Sequence, residues 1–447
     1  MKRHIRFLRT PIFLFLTFWL FVQCSPEEVE VPTTTDPNAT DTTNTPPANT
    51  NYSNANTAHL APVSITPLAP CENGSAGDYP CAGYDLYSFL PLDALSATFI
   101  NDIWGWTDET TAKEYVILGL SDGTAFLDIS DPKAPKYLGK LPTHTEPKVW
   151  RDVKVYKDHA FIVSEAANHG MQVFDLTRLR TVTAPEQFSA DAHLNVFISA
   201  HNIVINETSG YAYIVGTSGT VDGVTFHGGV LMVDIRNPKN PTPAGSFRPN
   251  LYVHDAQVVT YQGPDSNYSG RELLFGSSSD GNTYNDLIIV DVSNKAQPRL
   301  ISATTYPLAA YTHQNWLTED QRYALVGDEG DEREFGLKTR TIVIDVSDLD
   351  APSVHFTYTG ATPAIDHNGY VHGNSFFLAS YSSGLREIDI AQIANKQMQE
   401  IAFFDTTPNV ENTDFYGVWS IYPYFESGFI PISDSDNGLF IVRRALE

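Results

Sequence analysis

The stretch TIVIDVSDLDAP, residues 341–352, is an apolar run that ends in an aspartate and continues into a turn containing proline. Related stretches occur six more times, as FLDISDPKAP from Phe126, VFDLTRLR from Val173, LMVDIRNPKNP from Leu231, LIIVDVSNKAQP from Leu287, LREIDIAQIA from Leu385 and GLFIVRRA from Gly438. One such unit in every repeat of about fifty residues is typical of toroids and solenoids. We therefore expect one repeated architecture and not a series of unrelated domains.

Each repeat has the pattern of four short strands. Residues 152–156 alternate polar and apolar side chains, residues 160–163 are wholly apolar, and residues 172–175 form the run that ends in aspartate. A looser fourth segment is exemplified by residues 136–141 of the preceding repeat. Alternation with a period of two, Gly and Pro punctuation and very little helical periodicity favour an all-β fold. The sequence predicts a seven-bladed β-propeller of four-stranded blades.

The last repeat ends at its third strand, residues 439–442, so its fourth strand must come from elsewhere in the chain. Residues 87–92, which precede the first repeat, have strand character. We predict that this N-terminal strand completes the last blade and closes the ring, because closure leaves no free sheet edge for aggregation.

The first 23 residues resemble a targeting segment. A basic stretch that includes Arg9 precedes a short, mostly apolar run at residues 11–22, which cannot span a bilayer as a mature helix. FVQC at residues 21–24 resembles a bacterial lipobox, in which Cys24 would become the lipidated N-terminus. We expect residues 1–23 to be a lipoprotein signal peptide and the protein to be an outer-membrane lipoprotein.

Residues 24–66 are rich in Thr, Asn, Pro, Ala and Ser and predict a disordered stalk, which would hold a propeller at residues 67–447 away from the membrane. Three glutamates follow Cys24 closely, at Glu27, Glu28 and Glu30. Such a cluster resembles the surface-export signal of Bacteroidetes lipoproteins, which would expose the protein on the cell surface. The alternative is an ordinary acidic tether.

Charge and cysteine content restrict the partners and the compartment. The formal net charge of −25 argues against binding to nucleic acid, whose phosphates demand Lys and Arg. Besides Cys24, the chain contains only Cys71 and Cys81, at the two ends of CENGSAGDYPC. Outside the cytoplasm we expect these two to form a disulfide.

Four histidines at the same position of four successive repeats are the sharpest chemical signal in the chain. His201, His254, His313 and His367 each stand at the start of the first strand of a repeat, and that strand lines the channel of a propeller. Converging imidazoles, with Asp255 adding an oxygen, predict a site for a divalent transition metal. The alternative is that these side chains hydrogen-bond neighbouring blades and hold the ring together.

Acidic and aromatic residues supply further candidates. The cluster Asp328, Glu329, Asp331 and Glu332 offers oxygen ligands for Ca²⁺, although a solvated acidic loop is the alternative. The aspartates that end the repeated strands are expected to accept backbone N–H bonds in turns; they are Asp128, Asp175, Asp234, Asp291, Asp345 and Asp389. An aromatic rim for a sugar, or simple core packing, is predicted for Trp104, Trp106, Trp150, Trp316 and Trp419.

Several long motifs occur in order, among them CENGSAGDYPC from Cys71, NDIWGWTD from Asn101, WRDVKVYKDHAFIVSE from Trp150, GMQVFDLTRLR from Gly170 and HQNWLTEDQRYALVGDE from His313. Through these motifs the chain resembles the choice-of-anchor B proteins, which carry LVIVD repeats, from about Cys71 to the C-terminus. The resemblance implies an exported, surface-associated β-propeller whose membrane anchor varies among members. It implies no established activity.

Two functions fit these features. The first is a lipid-anchored binding or scaffold module of the cell envelope, for a protein or glycan partner. The anchor, the stalk and the lack of a P-loop, GxSxG or HExxH motif favour it. The alternative is a metal-dependent enzyme that works in the His-lined channel, with a divalent transition metal or Ca²⁺ as cofactor.

Overall fold

The computed structural model describes residues 65–221, 223–248, 251–279 and 284–445. The expected signal peptide, Cys24 and almost all of the expected stalk lie outside these residues. Within them, seven blades of four antiparallel strands form a ring, which confirms the predicted seven-bladed β-propeller. No helix of the described residues is long and apolar enough to cross a membrane.

Three strands precede the first repeat: β1 (Ser75–Ala76), β2 (Tyr79–Ala82) and β3 (Tyr84–Pro91). Blade 1 contains β4 (Ile100–Asp108), β5 (Lys113–Leu120), β6 (Gly123–Asp128) and β7 (Lys136–Pro142). Blade 2 contains β8 (Arg151–Tyr156), β9 (His159–Ser164), β10 (Met171–Asp175) and β12 (Ala192–Leu194), with the short strand β11 (Glu186–Gln187) between β10 and β12 in the chain. Strand β11 pairs in parallel with β7 and so adds to the outer edge of blade 1.

Blades 3 and 4 contain β13 (Asn202–Asn206), β14 (Tyr211–Val221), β15 (Val224–Asp234), β16 (Thr242–Phe247), β17 (Val253–Thr260), β18 (Glu272–Ser279), β19 (Asn285–Asp291) and β20 (Arg299–Thr305). Blade 5 contains β21 (Thr312–Leu317), β22 (Tyr323–Asp328), β23 (Arg340–Asp345) and β24 (Ser353–Thr359), with the short helix α1 (Asp331–Phe335) between β22 and β23. Blades 6 and 7 contain β25 (Asp366–His372), β26 (Ser375–Ser380), β27 (Gly384–Asp389), β28 (Gln399–Phe404), β29 (Val418–Ile421), β30 (Phe429–Asp434) and β31 (Gly438–Arg444).

The first strand of each blade lies against the first strand of the next blade around the channel. This inner ring consists of β4, β8, β13, β17, β21, β25 and β29, and β29 contacts β4 so that the ring is closed. The strand that precedes the first blade, β3, pairs antiparallel with β31 and is the fourth strand of blade 7. The predicted closure is therefore confirmed, although β3 begins at Tyr84 and not at residue 87.

The N-terminal segment also covers the outer edge of a second blade, which the sequence does not predict. Strands β1 and β2 form a small hairpin, and Cys81 of β2 pairs with Phe404 on the outer strand of blade 6. A disulfide joins Cys71 to Cys81, whose Cα atoms are 6.1 Å apart. The expected pairing of these two cysteines is thus present in the structure.

Among the described residues, the hydrophobic core consists of seven clusters, each between two neighbouring blades. In β19, Leu287 packs toward blade 5 and Ile288 packs toward blade 3. Because alternate side chains point to opposite faces of a strand, a strand between two neighbours must be apolar at every position. This explains why the repeated run reads LIIV and does not alternate with polar residues.

The repeated aspartates have a common structural role. In each case the carboxylate accepts the backbone N–H of the residue two positions later, at 2.8–3.1 Å, from Ser130, Thr177, Arg236, Ser293, Ser347 and Ala391 in turn. Side chains of this kind fix a turn by imitating a backbone acceptor. The expectation that these residues shape the turns after the third strands is confirmed.

Candidate sites in the central channel

The four predicted histidines lie side by side in the channel. The ring centroids are 4.1 Å apart for His201 and His254, 4.3 Å for His254 and His313, and 4.3 Å for His313 and His367. Trp419 of blade 7 continues this arc at 4.9 Å from His367. The sequence repeat therefore brings four imidazoles from four blades into one continuous layer.

A β-bulge in the inner strands places these side chains. In β17, Val253 pairs with Ser278 and Asp255 with Ser277, so His254 is an extra residue in the ladder. The same shift occurs at His313, which lies between the paired residues Thr312 and Gln314. A bulge redirects the side chain of the extra residue. In a regular strand the side chains would go on alternating between the two faces of the sheet. The bulges at His254 and His313 interrupt this alternation and direct each imidazole into the channel.

Glu329 supplies a carboxylate to this layer. Its Oε2 lies 3.6 Å from Nε2 of His313, and its Oε1 lies 3.5 Å from Nε2 of His367. The hydroxyl of Tyr381 donates a hydrogen bond of 3.0 Å to the same carboxylate. One ligand atom each from His254, His313 and Glu329 lies within 4.8 Å of the other two. Two imidazole nitrogens and one carboxylate oxygen form a donor set that suits a divalent transition metal.

Burial keeps the imidazoles of His254, His313 and His367 neutral. It lowers the pKa of His254 and of His313 well below the usual value, and it lowers the pKa of His367 to about 4. Nδ1 of His254 lies 2.9 Å from the carbonyl oxygen of His313, so this nitrogen donates and Nε2 keeps its lone pair. Nδ1 of His313 is buried without a hydrogen-bond partner among the described residues. Neutral rings with free lone pairs are the form that binds metals.

Burial also raises the pKa of Glu329 to about 7, because a desolvated carboxylate is costly. A cation bound beside it would favour the ionised form of Glu329.

His201 differs from the other three histidines, since its Nδ1 lies 2.6 Å from Oε1 of Glu165. The layer therefore has a three-residue donor group on one side and a His–Glu pair on the other.

Asp255 occupies a different position from the one expected of a metal ligand. Its Oδ1 accepts the N–H of Ala256 at 2.7 Å, and burial raises its pKa to about 7. It belongs to a second layer of charged residues in which Lys154 donates 2.6 Å to Asp152. The carboxylate that the structure places beside the histidines is Glu329. The sequence alone groups Glu329 with the acidic loop, because it does not show toward which part of the channel that loop turns.

The predicted cation loop separates into three environments. Asp328 accepts bonds from the hydroxyl of Tyr306 and from the N–H of Ala310, both at 2.8 Å, and from two further N–H groups. These bonds make Asp328 a structural anchor of the loop. Glu329 faces the histidines, whereas Asp331 and Glu332 are buried in α1, with Asp331 paired to Arg340.

A pocket of about 380 Å³ lies further along the same inner strands. Half-buried rings of Trp104, Trp316, Tyr422 and Tyr424 line it, together with the stems of more polar residues that include Lys154, Glu207 and Gln257. Trp104 and Tyr422 meet edge to face, with centroids 5.2 Å apart.

The five tryptophans of the predicted aromatic rim are therefore divided among several places. Trp104 and Trp316 line the pocket, Trp106 stacks on Tyr115 in the core, and Trp150 is 39% exposed and does not line the pocket. Trp419 belongs to the histidine layer. Two tyrosines that the sequence analysis did not single out, Tyr422 and Tyr424, complete the aromatic lining.

Comparison with known proteins agrees with this architecture. Residues 281–305, which include all of β19 and β20, match the LVIVD repeat. The β-propeller domain of Cps50 (Swd1) from Myceliophteria thermophila is similar, with a TM-score of 0.54 and 10% identity over 81% of this chain and 100% of that chain. A structural-genomics protein from Lactobacillus plantarum gives a TM-score of 0.50 and 12% identity over 75% of this chain and 89% of that chain. No curated protein matches the sequence.

The fold and the repeat together define an LVIVD-repeat β-propeller. At these identities the solved structures show a common fold and nothing about activity. A propeller that carries an LVIVD repeat is consistent with a binding or scaffold module.

Proposed function

We propose that this protein is a lipid-anchored binding module of the cell envelope, and that its propeller binds a glycan. The observation that carries the proposal is the channel pocket with four half-buried aromatic rings. Its volume of about 380 Å³ lies within the range of small-ligand sites. Aromatic rings held rigidly at the wall of a pocket offer flat apolar faces for the apolar faces of sugar rings, and neighbouring polar groups select the hydroxyls.

Local packing holds the aromatic rings in place before any ligand binds. Trp316 packs on the buried ring of Tyr370 at 5.0 Å, and Tyr370 lies 6.0 Å from Trp104. A Cβ atom at Gly105 would overlap the ring of Tyr422, so glycine at this position lets Tyr422 lie against β4. Rings fixed in this way lose little conformational entropy when a ligand binds, which favours affinity.

The test is a glycan-array and calorimetric comparison of the wild type with Trp316→Ala. We expect the wild type to bind one class of neutral saccharide and the variant to bind at least tenfold more weakly. Trp150→Ala is the matched control, since Trp150 is exposed outside the pocket, and it should bind as the wild type does. The proposal fails if no saccharide binds, or if both variants weaken binding equally. Capture of a protein partner in place of a glycan would also contradict it.

The lipid anchor is the second part of the proposal and rests on the sequence alone. The apolar run at residues 11–22, Cys24 and the acidic residues behind it support attachment to the outer membrane and exposure on the cell surface. Cys24→Ala should abolish incorporation of labelled palmitate and move the protein from the membrane fraction to the soluble fraction. Retention of the label in this variant would exclude Cys24 as the anchor.

A metal-dependent enzyme is the second candidate function. The grouping of His254, His313 and Glu329 favours it, because neutral imidazoles and a carboxylate lie close enough to share one ion. Tyr311 and Tyr381 lie next to this layer, with centroids 5.3 Å from His254 and 4.8 Å from His367. Such a site would suit hydrolytic, lyase or oxidase chemistry by a divalent transition metal.

Metal content separates the two candidates. The enzyme candidate predicts that plasma mass spectrometry finds one equivalent of a transition metal in the protein purified without a His tag, and much less in His254→Ala and His313→Ala. His355→Ala is the control, since His355 lies on the outer strand of blade 5, where its Nε2 contacts the carbonyl of Ile393. If the wild type takes up no Zn, Cu or Mn, the histidine layer has a structural role and the enzyme candidate falls.

A further inference from the structure

A second pocket of about 380 Å³ lies between blades 6 and 7. Its wall includes His372 at the end of β25, Phe377 of β26, Phe425 in the loop after β29 and Ile430 of β30. Antiparallel pairing brings the end of one strand beside the start of the next, so these residues lie at the face of the ring where the first strands end. Val371, the residue before His372, lines the channel pocket. The two pockets therefore lie at the same face of the propeller.

Tyr424 forms part of the wall of both pockets. Its hydroxyl donates a hydrogen bond of 3.2 Å to the carbonyl oxygen of Val371, and its ring centroid lies 5.4 Å from that of Tyr422 and 5.5 Å from that of His372. Nδ1 of His372 lies 3.0 Å from the carbonyl oxygen of Pro423, which holds the imidazole in place beside Tyr424. At this point one rigidly held residue separates the two pockets.

The second pocket combines apolar side chains with polar groups, as the channel pocket does. Phe377 and Ile430 offer apolar surface, whereas the exposed Glu426 offers two carboxylate oxygens that can accept hydrogen bonds from hydroxyl groups. The buried carboxylate of Glu387 also belongs to the wall, but Arg444 lies 3.3 Å away and offsets its charge. Such a lining suits a neutral ligand that has both hydroxyl groups and apolar faces.

We propose that the two pockets are subsites of one extended site and that the glycan is a neutral oligosaccharide, whose sugar chain passes over Tyr424 from the channel into the second pocket. This inference rests on the proposed function, because it requires the channel pocket to bind a sugar. A short saccharide can occupy only one pocket, whereas a longer chain contacts both. Two linked contacts bind more tightly than either alone, since translational and rotational freedom is lost only once.

The test is titration calorimetry with neutral oligosaccharide ladders of one to six sugar units, made of β-glucan, α-glucan, β-mannan and N-acetylglucosamine chains. For a ladder that binds, we expect the wild type to bind the hexasaccharide about tenfold more tightly than the disaccharide. Glu426→Ala should remove most of this gain and leave the affinity for the disaccharide unchanged, and His372→Ala should also reduce the gain. Trp316→Ala should weaken the binding of both saccharides, because Trp316 lines the channel pocket.

Glu411→Ala is the matched control, because Glu411 is an exposed glutamate of the loop before β29, at the opposite face of the ring. It should keep the full gain with length. The inference is overturned, while the channel site stands, if the wild type binds the disaccharide and the hexasaccharide equally. It is also overturned if Glu426→Ala and His372→Ala both keep the gain, since the longer chain would then leave the channel by another route. If no ladder binds, the proposed function fails and the inference fails with it.

Discussion

At the scale of the residue, His169 and Arg151 form a buried contact that depends on protonation. Nε2 of His169 lies 3.0 Å from Nη1 of Arg151, and Nδ1 lies 2.9 Å from the carbonyl oxygen of Gly170. The ring must therefore be neutral, with the proton on Nδ1 and with Nε2 accepting from the guanidinium. Burial and the adjacent Arg151 lower the pKa of His169 to about 3.

This pKa predicts a loss of stability in acid. The folded-state pKa is below that of an unfolded histidine, so the stability contribution is present above about pH 6.5 and disappears as the pH falls toward 3. Within that window the free energy of unfolding should fall by about 1.4 kcal/mol per pH unit from this group. We expect urea unfolding of His169→Gln to show a shallower pH dependence than the wild type. His355→Gln serves as the control, and parallel curves for the wild type and His169→Gln would contradict the prediction.

The sequence predicts the channel histidines but not the carboxylate beside them, because that carboxylate comes from a loop whose direction the sequence does not show. The four channel histidines recur at one repeat position, so a repeat analysis finds them. Glu329 carries no such signal, because it acts through its contact with His367 of the neighbouring blade. Asp255 looked like a ligand because it follows His254, but the bulge turns adjacent residues to different surroundings.

At the scale of the element, the third strand and its turn were the most predictable feature. The run of apolar residues follows from packing against blades on both sides, and the final aspartate follows from the turn. The short strands β1, β2 and β11 were not predicted. They have only two to four residues, so they need neither alternation nor a long apolar run. Strands β2 and β11 pair with the outer edges of blades, and β1 pairs with β2.

The turn after β23 provides a test at this scale. Asp345 accepts the N–H of Ser347 at 2.9 Å through Oδ1, and Arg322 lies 3.2 Å from Oδ2. Asp345→Ala removes both interactions and should lower the free energy of unfolding by about 1–2 kcal/mol. Asp345→Asn keeps an acceptor oxygen and loses only an exposed ion pair, so it should cost about 0.5 kcal/mol. Equal losses in the two variants, measured by urea unfolding, would show that the ion pair and not the turn is responsible.

At the scale of the whole molecule, the N-terminal segment holds the ring together. Strand β3 provides the fourth strand of blade 7, and β1 and β2 cover the edge of blade 6. Tyr79 and Phe89 of this segment contact Phe440 of β31, with centroids 5.0 Å and 4.4 Å away. The first and last parts of the propeller are thus joined by backbone pairing and aromatic packing, which is how a cyclic fold resists opening.

Removal of this segment should therefore open the propeller. A variant that lacks residues 1–92 leaves the edge of β31 unpaired and removes Tyr84, Leu86 and Phe89 from the aromatic and aliphatic packing around β31. We expect it to unfold at a much lower temperature and to form dimers or larger species in size-exclusion chromatography with light scattering, because free strand edges pair with other chains. A variant that lacks only residues 1–64 should stay monomeric and unfold as the full chain does. A synthetic peptide of residues 79–92, added to the shorter variant, should restore the monomer by occupying the vacant edge. A stable monomer without β3 would show that the inner ring of seven strands is sufficient for closure.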